Sequence, residues 1–209
     1  MNRNTSNQII ETLRTVIENP VCELNFKNTF ELICAVILSA QTTDKRVNMV
    51  TGELFDKYPD PQALMEAEYT DVLQIISSVG LAKTKAKNLI ELAKVLHETY
   101  ADKVPADFDT LITLPGVGRK TASVVLAVGF QIPAMPVDTH LHRMAIRFGY
   151  IRKGDSVLKA EEAYKKYIPE NLWIEAHHLF LLFGRYYCKA ANPSCEVCRL
   201  RSFCKVNPK

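Results

Sequence analysis

The sequence predicts an all-α protein, on three observations. Apolar residues recur three and four positions apart through most of the 209 residues, which is the spacing of one face of a helix. No run alternates apolar and polar residues over the length of a typical strand. The β-branched stretch at 124–126 follows a glycine-containing turn and keeps the helical period, so we expect it to be helical as well.

The first helix is predicted by apolar residues at helical spacing, which are Ile9, Ile10, Leu13, Val16 and Ile17. Asn28 and Glu31 then have the spacing of a capping box, which predicts a helix start. The segment 30–40 that follows is apolar on nearly every side, as is typical of a helix in the centre of a domain. Further helices are predicted at 45–58, 62–66, 70–77, 84–100, 108–113, 119–128, 139–148, 156–167 and 172–187.

Two prolines close together, Pro133 and Pro136, form the clearest interruption of the helical pattern. Because proline moves the preceding residue out of the helical region, we place a domain boundary at this point. The first helix has no evident partner in the central block of the sequence. We therefore expect it to pack with the C-terminal part of the chain.

Composition places the chain among globular proteins and permits a nucleic-acid partner. The hydrophobic fraction is 47% and the net charge is +3, a mild excess that allows nucleic-acid binding without requiring it. The sequence contains no run of about 18 apolar residues, so no membrane span is predicted. Its polar start lacks the apolar core of a secretory signal. We therefore expect a cytoplasmic protein with reduced cysteines, in which disulfides are disfavoured.

Four cysteines near the C-terminus, Cys188, Cys195, Cys198 and Cys204, form a C-x6-C-x2-C-x5-C run. Thiolates so close in sequence can converge on one metal centre. A structural zinc site usually shows two short cysteine pairs, whereas here only the middle two cysteines form one. The spacing therefore favours an iron–sulfur cluster and leaves zinc as the alternative.

A glycine-rich turn, Leu-Pro-Gly-Val-Gly-Arg-Lys at 114–120, joins two predicted helices. Gly116 and Gly118 allow a tight turn and expose backbone N–H groups, which form a phosphate site together with the N-terminus of the next helix. Arg119 and Lys120 add positive charge there. The alternative is an ordinary helix–helix turn, but this composition with two following cations favours phosphate binding.

Lys120 and Asp138 are the two candidate side chains for chemistry. A lysine in the first turn of a helix can act as a nucleophile when it is a free amine, although spacing alone favours a phosphate contact or a solvated side chain. Asp138 precedes the predicted helix 139–148, where aspartate is a good N-cap. It could equally face Lys120 across a cleft between domains, and the sequence favours neither role.

Segments spread over nearly the whole chain carry a resemblance to a known family. They are 38–44 (LSAQTTD), 79–81 (VGL), 114–122 (LPGVGRKTA), 137–140 (VDTH), 184–186 (GRY) and the cysteine run. In these segments the chain resembles the endonuclease III family, bifunctional DNA glycosylases of the helix-hairpin-helix superfamily. The resemblance implies base excision repair, with removal of oxidised pyrimidines from duplex DNA and AP lyase cleavage by β-elimination through a lysine Schiff base.

The resemblance also implies a fold, a cofactor and a partner. Two helical domains would flank a DNA-binding cleft: a six-helix barrel with the helix-hairpin-helix at 22–132, and a discontinuous domain of 1–21 and 133–209. The second domain would carry a [4Fe–4S] cluster on the four cysteines of the run. The implied partner is double-stranded DNA with damaged pyrimidines or abasic sites. The protein would bind it as a monomer in the bacterial cytoplasm, associated with the nucleoid and not with a membrane.

The matched motifs imply roles for individual residues. Lys120 matches the family's nucleophile, and Asp138 matches its catalytic carboxylate. Gln41 and Leu81 match residues that enter the duplex and fill the space of an extruded base. The remaining DNA-binding residues implied by the motifs are Gly116, Val117, Gly118, Arg119 and His140.

One departure from the family and two competing functions bear on this prediction. The loop between the first two cluster cysteines is usually rich in cations but has a single one here, and cations lie instead around the last two cysteines, at Arg199, Arg201 and Lys205. The related adenine-mismatch glycosylase generally lacks a lysine at the position of Lys120, which disfavours that activity. A non-catalytic DNA-binding module would need the turn and the cysteines but neither Lys120 nor Asp138.

Overall fold

Helices form all of the regular secondary structure in residues 1–206, the part of the chain that the computed structural model describes. The all-α prediction is therefore confirmed. The α-helices are α1 Arg3–Arg14, α2 Thr29–Ser39, α3 Asp44–Lys57, α4 Pro61–Met65, α5 Tyr69–Ile75, α6 Ala82–Tyr100, α7 Phe108–Leu111, α8 Arg119–Val124, α9 Thr139–Phe148, α10 Val157–Tyr167 and α11 Trp173–Leu182. Within this part of the chain no helix combines the length and the hydrophobicity needed to cross a membrane.

The helices belong to two compact units. One is continuous, Glu23–Ile132, and contains α2 to α8. The other joins Met1–Cys22 to the described residues from Pro133 onward. In this discontinuous unit α1 packs against α11, where Arg14 donates to both carboxylate oxygens of Glu175 at 2.7 and 2.6 Å. The first helix is thereby fixed to a helix from the far end of the chain.

Helix α2 is the centre of the continuous unit. Residues 30–38 are all buried, as the apolar sequence predicts, and α2 packs against α3, α6 and α8. The Asn28 side chain accepts a hydrogen bond from the Glu31 N–H at 2.9 Å, so the predicted N-cap is present. The Glu31 carboxylate accepts from the N–H of Lys27 at 2.6 Å, one residue earlier than a capping box requires. The start of α2 is therefore fixed by two side chains.

An aromatic cluster holds the discontinuous unit together. Ring centroids of Tyr150, Tyr164 and Phe180 lie between 4.6 and 6.0 Å apart. The Tyr164 hydroxyl donates to the Leu141 carbonyl of α9 at 2.9 Å, and the Tyr150 hydroxyl bonds Ser6 of α1 at 2.5 Å. A buried hydroxyl without a partner costs roughly 1–3 kcal/mol, so these bonds help to fix α9 and α1.

Helices α8 and α11 end in π-helical turns, Val125–Gly129 and Phe183–Tyr187, where the sequence predicts continuous α-helix. A Cβ on Gly129 would lie 2.9 Å from a methyl carbon of Leu32, so the first π turn lies directly against α2. The second one leads into Cys188, the first residue of the cysteine run.

Candidate functional site

The glycine-rich turn lies between α7 and α8. Gly116 has a φ of 76°, and a Cβ there would lie 3.0 Å from atoms of the Asn88 side chain. Gly118 has an ordinary negative φ, and a Cβ there would have no neighbour within 4 Å in the described part of the chain. Val117 is buried, and its N–H donates to the Leu114 carbonyl at 3.1 Å. Val117, which the motif resemblance implies to be a DNA contact, therefore supports the turn from its buried side. Gly116 is the position whose backbone conformation requires glycine.

The N-terminus of α8 has the features of an anion site. Its N-cap residue, Gly118, has no side chain to accept a bond from the first-turn N–H groups. The Lys120 side chain is exposed in this turn. The Arg119 guanidinium lies over the ring of Phe108, 4.9 Å from its centroid. An anion here would meet backbone donors, the positive end of the helix dipole and two cations.

Asp138 caps α9, in the other unit. Its Oδ1 atom accepts from the N–H of His140 at 2.8 Å and from the N–H of Leu141 at 2.9 Å. Helix α9 runs from Thr139 to Phe148, as predicted. The N-cap interpretation is therefore correct. Both bonds use the same carboxylate oxygen, so the cap does not require the lone pairs of Oδ2.

Arg143, which sequence analysis missed, fixes the side chain of His140. Its Nη2 atom lies 3.1 Å from His140 Nδ1 and donates to the Gly184 carbonyl at 2.6 Å. Its Nε atom donates to the Cys188 carbonyl at 3.2 Å. Arg143 follows His140 by one turn of α9 and so lies on the same face. That spacing is the sequence signal that could have identified it.

The four cysteines line one cavity of about 70 Å³, together with apolar residues that include Phe148 and Leu200. Arg147 donates to the Cys188 sulfur at 2.9 Å, and to the carbonyls of Cys188 and Lys189 at 3.0 and 2.9 Å. Burial raises the pKa of the Cys188 thiol, and the Arg147 guanidinium opposes that effect. Within residues 1–206, no three Cys, His, Asp or Glu side chains are gathered closely enough to hold a metal ion.

The chemistry of the cavity nevertheless fits a sulfur-ligated centre. Among residues 1–206, its lining contains thiols, apolar groups and arginines but no carboxylate or imidazole. His177 and His178 are buried in α11 and are not among the described residues of this lining. Sulfur donors select zinc or iron–sulfur clusters over hard cations. The donor set alone does not separate these two.

The cations around the last two cysteines are partly engaged by the protein. Arg199 donates to the carbonyl and hydroxyl oxygens of Thr15 at 3.4 and 3.2 Å. Arg201 donates to the Cys195 carbonyl at 3.3 Å. Both side chains belong to exposed residues. They therefore order the cysteine segment and still present positive charge to solvent.

Gln41 and Leu81 form two exposed corners of the continuous unit. Both have left-handed backbone conformations, with φ of 56° and 62°, which are uncommon for residues other than glycine. Leu81 is 58% exposed. A Cβ on Gly80 would lie 3.2 Å from the Gln41 carbonyl oxygen, so the two corners are adjacent.

Lys85 is a second residue that sequence analysis missed. Its side chain is buried, with 4% exposure, and its ammonium donates to backbone carbonyls at the end of α2. Lys85 lies on the buried face of α6, at helical spacing from Leu89, Leu92 and Leu96. Lysine is rarely buried without a partner, so its position on the apolar face of a predicted helix was the sequence signal that could have identified it.

Comparisons with known proteins find similarity over nearly the whole chain. The family model for HhH-GPD superfamily base excision DNA repair proteins matches residues 34–170. Endonuclease III of Bacillus subtilis (strain 168) is 47% identical over 188 residues, which are 90% of this chain and 86% of the relative. Endonuclease III of Escherichia coli (strain K12) is 39% identical over 209 residues, 100% of this chain and 99% of the relative. A solved structure of a trapped endonuclease III–DNA covalent intermediate has a TM-score of 0.94 and 42% identity, and covers 98% of this chain and 96% of its own.

Proposed function

The chain belongs to the endonuclease III family, within the HhH-GPD superfamily of base excision DNA repair proteins, and from this premise we propose roles for its site residues. It is a DNA glycosylase with AP lyase activity, as the motifs predict, and it binds DNA. We propose that it acts as a monomer on duplexes with oxidised pyrimidines or abasic sites. The observation that carries the assignment is the exposed Lys120 amine in the first turn of α8, directly after the glycine-rich turn.

Lys120 is the proposed nucleophile. Its free amine attacks C1′ of the damaged nucleotide, and the base leaves with the electron pair of the glycosidic bond. Opening of the sugar ring and loss of a proton from nitrogen give a Schiff base between Lys120 and C1′. The Schiff base makes the C2′ proton acidic, and removal of that proton expels the 3′ phosphate by β-elimination. The covalent intermediate trapped for a relative supports a route of this kind.

Asp138 is the proposed carboxylate that stabilises positive charge on the sugar. Such stabilisation is most effective when the charged group is already oriented before the reaction. The two backbone N–H bonds to Oδ1 supply this orientation. On this view the N-cap and the catalytic role are compatible, because the cap fixes one oxygen and the other can face the substrate.

The glycine-rich turn and the two exposed corners are the proposed DNA contacts. The backbone around Gly118, with Arg119, would bind a phosphate at the N-terminus of α8. Gln41 and Leu81 would fill the space left by the extruded base, which leaves the stack at a cost of a few kcal/mol. His140, held by Arg143, would add a contact at the start of α9.

We propose that Cys188, Cys195, Cys198 and Cys204 hold a [4Fe–4S] cluster. The support is a cavity lined by all four thiols, together with the resemblance of the cysteine run to that of the family. A bound cluster supplies iron–sulfur bonds that cross-link this segment, whose regular structure within residues 188–206 is a single 3-10 turn, Arg201–Phe203. We further propose that the continuous unit is the helix-hairpin-helix barrel domain and that the discontinuous unit is the cluster domain.

Borohydride trapping on duplexes with one defined lesion tests the assignment. Lys120→Gln should abolish the trapped adduct and leave DNA binding largely intact, because the backbone donors of the turn remain. Lys94→Gln, on the exposed face of α6, is the matched control and should form the adduct normally. An adduct with Lys120→Gln would mean that another amine reacts. A wild-type protein that forms no adduct would instead be a non-catalytic DNA-binding module.

A further inference from the structure

The Lys85 side chain closes the C-terminal end of α2. Its ammonium donates to the carbonyls of Leu38 at 2.8 Å and Ala40 at 2.5 Å, and to the Thr42 hydroxyl at 3.4 Å. An ammonium has three donors, and each of them has an acceptor here. Carbonyls at the end of a helix carry the negative end of its dipole. The buried charge therefore lies where the helix stabilises it.

The Thr42 hydroxyl extends this arrangement to a second loop. It accepts from the Gly80 N–H at 3.1 Å as well as from Lys85, and it donates to the Ala40 carbonyl at 3.4 Å. A hydroxyl has one donor and two acceptor positions, and all of them are used. We call Lys85, Thr42 and Gly80 the loop network.

The loop network lies between the two exposed corners. Ala40 and Thr42, which flank Gln41, are both bonded to Lys85. Gly80 precedes Leu81, and the Lys85 N–H donates to the Leu81 carbonyl at 3.0 Å. A left-handed conformation costs a residue with a side chain roughly 1–2 kcal/mol, so it persists only where the surrounding structure imposes it. The corner side chains are exposed, so this restraint acts through the backbone.

We propose that Lys85 and Thr42 are positioning residues that hold Gln41 and Leu81 in the conformation in which they enter the duplex, and that they couple the two corners. This inference rests on the proposed role of Gln41 and Leu81. It concerns extrusion of the base, and not the bond chemistry at Lys120.

A network that only supported α2 would behave differently. Its loss would lower stability and reduce activity on every substrate alike. Loss of a positioning network should slow removal of a stacked base and spare strand cleavage at an abasic site, where there is no base to extrude. The ratio of the two rates therefore separates the two roles.

Substitutions at Thr42 give the cleanest test. Thr42→Val removes the hydroxyl at nearly constant volume, and Thr42→Ser keeps it. Single-turnover base removal on a duplex with one oxidised pyrimidine should slow by up to about 10²-fold in Thr42→Val, the cost of an ångström-scale misplacement. It should recover in Thr42→Ser, with abasic-site cleavage unchanged in both variants. The fluorescence of 2-aminopurine placed beside the lesion should show reduced unstacking in Thr42→Val.

Lys85→Met provides a second variant, with Lys94→Met as a control on the exposed face of the same helix. Lys85→Met should reproduce the effect of Thr42→Val, and Lys94→Met should not. Wild-type base removal in both Thr42→Val and Lys85→Met would overturn the proposal. Equal losses on stacked-base and abasic substrates would also overturn it, because they would indicate a general folding defect.

Leu81→Ala tests the premise separately. If Leu81→Ala slows base removal and Thr42→Val adds little to that loss, the network acts through the corner and the proposal stands. Full additivity of the two losses would overturn the coupling. Unchanged base removal in both Leu81→Ala and Gln41→Ala would refute the proposed role of the corners, and the inference with it.

Discussion

The carboxylate of Asp138 accepts a 2.9 Å hydrogen bond from the backbone N–H of Leu141, which closes the first turn of α9. Asparagine caps a helix about as well as aspartate, so Asp138→Asn should leave the free energy of unfolding nearly unchanged. Base removal should fall by about 10²–10³-fold, which is typical of losing one preorganised electrostatic group. Urea denaturation and single-turnover kinetics measure the two effects.

Asp60→Asn is the matched control for this substitution. Asp60 caps α4 by accepting from the Ala63 N–H at 2.8 Å, and it is not a proposed site residue. We expect normal stability and normal activity from this variant. An Asp138→Asn protein with wild-type turnover would leave Asp138 as a helix cap alone.

The two glycines of the turn should respond differently to alanine. At Gly116 a Cβ would be added to a left-handed backbone and would approach the Asn88 side chain, so Gly116→Ala should lower the free energy of unfolding by roughly 1–2 kcal/mol. At Gly118 a Cβ would have no atom of residues 1–206 within 4 Å. Gly118→Ala should therefore keep the stability but weaken binding to undamaged duplex, because the added carbon lies where a phosphate would approach.

The dependence of DNA affinity on salt gives a second measure of this contact. If the protein neutralises about four phosphates, log K should fall with log salt at a slope of roughly −3.6. Gly118→Ala should reduce both the affinity and the magnitude of that slope. Wild-type affinity and slope in Gly118→Ala would argue that the turn only connects two helices.

Removal of one proposed cluster thiol should reduce folding more than it reduces the catalytic rate of the protein that does fold. Cys198→Ser should lower the soluble yield and the iron content, since it removes one of four proposed ligands. Cys22→Ser, which changes a cysteine outside the run, should keep both. Metal analysis of protein purified without oxygen is the measurement. Stoichiometric zinc without iron in the wild type would contradict an iron–sulfur cluster.

The ion pair between Arg14 and Glu175 should make stability depend on pH. Hydrogen bonding to Arg14 lowers the pKa of Glu175 below its ordinary value of 4.5. The pair therefore stabilises the folded state above that pH, and the stabilisation is lost as pH falls through the lowered folded value. Both side chains are about a third exposed, so solvent should limit the contribution to roughly 0.2–1 kcal/mol.

Glu175→Gln measures that contribution. At neutral pH the free energy of unfolding should be lower in the variant, and the difference from the wild type should shrink as the pH is lowered below 4.5. Glu11→Gln, which changes the more exposed partner of Arg14, should have a smaller effect. A difference that stayed constant with pH would show that Glu175 acts through packing.

Local signals predicted the features whose partners are close in sequence. The caps at Asn28 and Asp138 each bond an N–H three residues later, so residue type and spacing were sufficient. The hydrogen bonds from Lys85 to Leu38 and from Arg147 to Cys188 join residues 47 and 41 positions apart. No local pattern specifies such partners, so these two contacts became apparent only from the fold.

The π turns were missed for a related reason. The sequence around Gly129 keeps a helical period, and nothing in that period indicates an inserted residue. The turn is associated with close packing of Gly129 on Leu32, a contact between distant parts of the chain. The roles of Lys120 and Asp138 came from motif resemblance, because spacing alone left other interpretations open for both.

The ion pair between α1 and α11 has a consequence for the order in which parts of the protein fold during synthesis on the ribosome. Arg14 and Glu175 are 161 positions apart, which at about 5–20 residues per second corresponds to roughly 8–30 s of synthesis. During that interval the continuous unit can complete its own contacts, whereas Ile9, Ile10 and Leu13 lack the helices that bury them. Helix α1 is thus made well before the helix that completes its final environment. A nascent chain stalled before α11 should carry an exposed apolar stripe on α1, suitable for binding by a chaperone.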